Sequence, residues 1–143
     1  MSARGLERHF RVGPAQRAYD DASYAHVVET CMGVGLRPYR PTHLSARRSG
    51  DGAIELRWTR RTRVDGDSWL GSDVPLGEDG EVYLVKLRSG EILVREVETT
   101  SPFYRYSIAE QVADGVEADL SFEVAQVSRR FGPGPFERIE FDG

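Results

Sequence analysis

The residues best suited to chemistry lie together in the stretch RRTRVDGDSWLGSDVPLGE, from Arg60 to Glu78. Its aspartates, Asp65, Asp67 and Asp73, are hard oxygen donors of the kind calcium takes. Their spacing departs from the EF-hand loop. Counted from Asp65, the fifth position is Trp69 and the twelfth is Leu76, where that loop needs an oxygen donor and a glutamate. The acids therefore read as a solvated turn, and no metal is expected. Trp69 has two readings. It can stack on a sugar face or a partner protein, or it can fold back with Leu70 over the end of the protein core, which is the expected arrangement. Arg57, Arg60, Arg61 and Arg63 make a basic strip, and strand alternation would point Arg57, Arg61 and Arg63 outward together. Such a strip suits phosphate or carboxylate groups of lipopolysaccharide or capsule. Against that stands pairing with Asp65, Asp67, Glu78 and Asp79 in the same loop, or with Glu on neighbouring strands, the commoner fate of a charge run. The candidate surface or partner-binding residues are Arg61, Arg63, Asp67 and Trp69.

Enzyme chemistry is poorly served, and the chain is expected not to be an enzyme. His9, His26 and His43 are far apart in sequence and sit in no catalytic motif. Carboxylates are abundant, but no pair stands out as the acid and base of a glycosidase. The chain carries neither a P-loop nor a dinucleotide fingerprint. Cys31, the single cysteine, has no nearby base and reads as buried rather than nucleophilic. No cofactor is expected.

The elements that must position these residues are mostly strands. Two glycines and two prolines between Gly33 and Pro41 disfavour both helix and central strand, and divide a short N-terminal segment from the rest. In that segment Gly13-Pro14 marks a turn and Asp20-Asp21 a second turn or a cap. Tyr24 to Met32 reads either as a strand or as two helical turns. About 40 residues of this kind cannot bury a core of their own. Beyond the division, Leu44 and Ala46 alternate with polar residues. A turn follows at Ser49 to Gly52, and Ile54, Leu56 and Trp58 then alternate with Glu55, Arg57 and Thr59. Further strands are predicted over Val82 to Leu87, Ile92 to Val97, Phe103 to Tyr106, around Leu120 to Ala125, and over Glu137 to Phe141. A stiff turn, Gly132-Pro133-Gly134-Pro135, precedes the last of them. Seven short strands over about 100 residues predict a mainly β protein, an antiparallel sandwich.

Composition excludes several classes. The 143 residues are 39 % hydrophobic and 29 % charged with a net charge of −4, which argues against a general nucleic-acid binder. One cysteine excludes an intramolecular disulfide and a cysteine-based zinc site. No apolar run approaches the roughly 18 residues that span a membrane, and the N-terminus has no apolar signal region. Synthesis in the cytoplasm without a signal peptide, and no membrane insertion, are the expectations.

Two resemblances sharpen this reading. ELRW, YLVKL and SFEVAQVSRRFGPGP, in that order, are similar to a fibronectin type III domain. The resemblance implies that Trp58 fills the core from the second strand and that Gly132 to Pro135 turn into the last. One departure is Leu120, which stands where that family has its corner tyrosine. A second likeness covers almost the whole chain. VGPAQRAYDDASYAHVVETCMGVGLRPYRPTHL followed by WTRRTRVDGDSWLGSDVPLGEDGEVYLV resembles the C-terminal region of the tail-tip proteins of phages and gene transfer agents, the host-specificity or baseplate family. That family is long and multidomain, with tail-hub and glycosidase-like barrel domains upstream of this region. The likeness implies that residues 1–40 are an extension resembling the end of a tail-hub domain. Residues 41–143 would be a fibronectin type III-like sandwich with a long 60–81 loop. It implies a virion or tail-particle component that contacts other tail or baseplate proteins, with a host cell-surface glycan as a further candidate partner. A carbohydrate-binding accessory module is the alternative.

Overall fold

The structure, a computed structural model, describes residues 5–30, 33–62, 76–116 and 119–141. The chain divides into two units, Met1–Leu36 and Arg37–Gly143.

In the first unit, β1 (Glu7–Val12) pairs antiparallel with β2 (Ala25–Thr30), from Glu7 opposite Thr30 to Val12 opposite Ala25. Of the ambiguous Tyr24–Met32 segment, Ala25–Thr30 is thus a strand, because it finds a ladder partner in β1. The two strands form a sheet of their own. The connection between them is held by Tyr24. Its hydroxyl donates to the carbonyls of Pro14 and Arg17 at 2.9 and 3.2 Å, and its ring lies where any Cβ on Gly13 would fall. Asp21 accepts from the backbone N–H and the hydroxyl of Ser23, closing the second turn. A single 3-10 turn, Val34–Leu36, follows.

The second unit is a sandwich of two antiparallel sheets. The first has the order β3 (Thr42–Arg48), β4 (Ile54–Thr59), β7 (Phe103–Tyr106). The second has the order β10 (Glu137–Phe141), β8 (Leu120–Ser128), β5 (Tyr83–Ser89), β6 (Ile92–Thr99), and the two-residue β9 (Gly132–Pro133) also pairs with β8. The glycine–proline turn is therefore partly laddered. Gly134 donates to the Gln126 carbonyl at 2.9 Å. A Cβ at Gly134 would fall on the Pro38 carbonyl, so glycine is needed there for the close approach of two backbones.

Alternation builds the core as expected. Ile54, Leu56 and Trp58 from β4 and Tyr106 from β7 meet Tyr83, Val85 and Leu87 from β5 and Leu120, Phe122 and Val124 from β8. Edge-to-face contacts knit the layers. Trp58 meets Tyr83 at 5.2 Å between ring centres, and Phe122 lies between Tyr106 and Phe141 at 6.4 and 6.1 Å. Central β8 is buried on both faces for much of its length, and the inward series continues from Val124 to Gln126 and Ser128.

Strand β1 and one helix were not predicted from the sequence. Ile108–Asp114 is a helix, α1, joining β7 to β8. Ser107 and Glu110 form a reciprocal capping box, and Gly115 closes the other end in the left-handed conformation with φ 62°. The S-x-x-E spacing was present in the sequence, as was the i,i+4 pair Ile108 and Val112, but seven residues are too short a run for helical periodicity to stand out.

Candidate functional site

Of the four candidate residues, Arg61 lies within the described structure. Arg63, Asp67 and Trp69 fall outside the described residues, as do the aspartates of the calcium reading. Strand β4 ends at Thr59, so the alternation expected to carry Arg61 outward alongside Arg57 does not reach it. Arg61 instead lies over the Tyr39 ring, 5.4 Å from its centre. Pro38, Tyr39, Arg61, Thr62, Leu76 and Gln126 converge at the base of the long loop, in a cleft too narrow to admit a water molecule. This end of the sandwich is tied down by Arg37, which donates to the Phe131 carbonyl at 3.1 Å, and by the Arg40–Glu137 ion pair at 3.2 Å. Pro38 and Pro41 are buried, so the C-terminal half of the proline-rich division is packed structure rather than a linker.

Arg47, Arg57 and Arg105 occupy the outer face of the three-stranded sheet. Ser45, Arg57 and Phe103 lie in register across the strands, and Arg47, Glu55 and Arg105 form the next row. Arg57 is 4.9 Å over the Phe103 ring and 3.5 Å from Glu55. Arg105 bridges Glu55 at 3.1 Å and also Asp51 in the β3–β4 turn. An open concavity of about 390 Å³ is lined by Ser45, Arg47, Glu55 and Arg57. Arg57 pairs with Glu55 on its own strand, and Asp65 and Asp67 of the expected pairing lie outside the described residues. Arg47 and Arg105 were missed from the sequence. Arg47 alternates with Leu44 and Ala46 and could have been placed on the outer face, but only the register puts it beside Arg57 and Arg105.

A second polar cluster crosses the edge of the sandwich. Arg95 of β6 donates twice to Asp114 of α1, at 2.7 and 3.0 Å, and reaches Glu110 at 3.4 Å. The Tyr106 hydroxyl donates to Asp114 and the Tyr104 hydroxyl to Glu110, at 2.8 and 2.9 Å. The Arg95 bonds hold the Asp114 carboxyl below the usual carboxylate range. Burial pushes Glu110 up, but the Ser107 backbone and side-chain bonds outweigh it and the net shift is downward. Burial, reinforced by the carboxylates, pushes both phenols up. All these groups are held in their ordinary charge states at neutral pH. The cluster clamps α1 to β6 and β7, one strand from each sheet.

The histidines are not all apart, as the sequence implied. The β1–β2 register brings His9 Nδ1 within 3.0 Å of His26 Nε2, while His43 lies in the second unit at the irregularity in β3, with φ 53°. No group of three or more histidine, cysteine, aspartate or glutamate side chains that could hold a metal occurs among the described residues. No helix among them is long and apolar enough to cross a membrane.

No family model matches the sequence, and no curated protein matches it. Solved structures do. The crystal structure of domains d3–d4 of the rat CD45 extracellular region aligns over 99 % of this chain and 66 % of that one, with a TM-score of 0.51 and 11 % identity. The FN5 domain of Drosophila Lar aligns over 74 % of this chain and 98 % of its own, with a TM-score of 0.41 and 15 % identity. At 11 % identity the likeness to the CD45 domains shows the fold alone, a fibronectin type III-like β-sandwich.

Proposed function

We propose that this chain is a non-enzymatic structural and adhesion module of a phage or gene-transfer-agent tail tip, contributing to baseplate assembly or host-surface contact. The observation that carries the reading is the fibronectin type III-like sandwich coinciding with the GLRP, RRTR, DGDSW and VPLGE stretches of the tail-tip likeness. The Arg95–Asp114, Tyr104–Glu110 and Tyr106–Asp114 pairs fit a structural module, since each holds one element to another. The test is the genetic neighbourhood together with co-sedimentation of the chain with tail particles. Flanking tail genes and a particle-bound chain are expected. A gene set without tail components, and a chain that stays free of particles, would overturn the reading.

The outer sheet face favours a second reading, a carbohydrate-binding accessory module. Arg47, Arg57, Glu55 and Ser45 line an open concavity with the polar groups that sugar hydroxyls bond, and Phe103 beneath Arg57 would be uncovered for stacking if Arg57 swung away. A glycan array separates the two. Sugar binding that is lost on Arg47→Ala or Arg57→Ala supports the second, and an array without hits leaves the structural module.

A further inference from the structure

The hairpin of the first unit carries a pair of imidazoles that the reading above does not use. Register places Arg11 opposite His26 and His9 opposite Val28, so His9 and His26 are diagonal neighbours on one face. Their rings are nearly parallel, at 16° with centres 5.2 Å apart, and the facing nitrogens are 3.0 Å apart. Both residues are exposed and line, with Arg11, an open concavity of about 440 Å³. In water an exposed histidine–histidine hydrogen bond adds little stability, so folding alone gives weak reason for the pairing.

We propose that His9 and His26 form a two-imidazole chelate for a divalent transition ion of the zinc, nickel or copper type. Two nitrogens about 2.0–2.1 Å from one ion, at the angles of octahedral to tetrahedral coordination, are separated by about 2.9–3.4 Å. The observed separation lies in that range, and both residues are exposed, so a modest turn of the stacked rings would aim both lone pairs at one ion. Imidazole selects these ions over calcium or magnesium, which take oxygen. The protein supplies two donors, so water completes the sphere on the side of the concavity. The Arg11 cation on the same face opposes a bare dication and favours an anion as one of the remaining ligands. The site is therefore a weak one, and copper should bind more tightly than zinc.

The full-length chain titrated with zinc, followed through its histidine ring resonances, tests the proposal. His9 and His26 are expected to shift together and saturate at one equivalent bound, with His43 unmoved and calcium without effect. His9→Gln and His26→Gln keep a hydrogen-bonding side chain on the hairpin, and each should abolish the saturable response, while His43→Gln should leave it intact. A wild-type spectrum that does not respond to excess zinc overturns the proposal whatever the variants do. So does saturable binding that survives in both hairpin variants.

Discussion

Trp58 shows how one residue joins the layers. It projects from β4 with 5 % of its surface exposed and meets Tyr83 of the opposite sheet edge to face. Trp58→Ala should cost roughly 3–5 kcal/mol, the range for deleting a large core aromatic. Chemical denaturation reads the loss, and a value below about 1 kcal/mol would contradict the packing. Gly134 acts through what it lacks. A methyl there would collide with the Pro38 carbonyl, which is backbone and cannot swing aside. Gly134→Ala is expected to destabilise by about 1–3 kcal/mol, as overpacking does. Gly50 has open space where a Cβ would go, so Gly50→Ala should be near neutral in the same measurement.

The element that most depends on charge is α1. At seven residues, with none buried, it is too short to persist through propensity alone. Its capping box and the Arg95–Asp114 clamp supply what burial does not. Asp114 is depressed in the folded state, chiefly by the Arg95 bonds, so the unfolded chain binds its proton more readily. Its stabilising contribution is therefore full above the ordinary carboxylate value of about 4, and is lost as pH falls through the lower folded value. Asp114→Asn should be less stable than wild type at neutral pH, and the gap should close on acidification below about pH 4. Thermal melts across that range provide the check. A gap that stays constant with pH would show that the carboxylate charge is not what holds the helix.

For the molecule as a whole, the sheet arrangement makes a prediction about autonomy. All the sandwich ladders run between strands of Arg37–Gly143, and β1 and β2 pair with each other. Removing residues 1–36 should leave a domain that unfolds cooperatively, with the dispersed amide spectrum of a β-sandwich. An unfolded product would mean that the second unit cannot stand without the first. The same truncation should remove the zinc response of the histidine rings, since His43 alone would remain.

Period-two alternation determined most of the sandwich from sequence alone. Ile54, Leu56 and Trp58, then Tyr83, Val85 and Leu87, then Leu120, Phe122 and Val124 each mark an inward face, because a strand half in the core must alternate. The strand pattern was enough for an antiparallel sandwich, and the ELRW, YLVKL and SFEVAQVSRRFGPGP stretches carried the resemblance to a fibronectin type III domain. Alternation has no information about which strand lies beside which, so tertiary structure decided the rest. Register set Arg47 and Arg105 beside Arg57, and register brought His9 to His26 across a turn. Burial decided Gln126 as well, a polar side chain carried inward by the strand phase it inherits from Val124. Arg61 could not be placed from the sequence, because the alternation that seemed to govern it ends with β4 at Thr59. Beyond that point its partner is Tyr39, a ring more than twenty residues away in the chain that only the fold brings near.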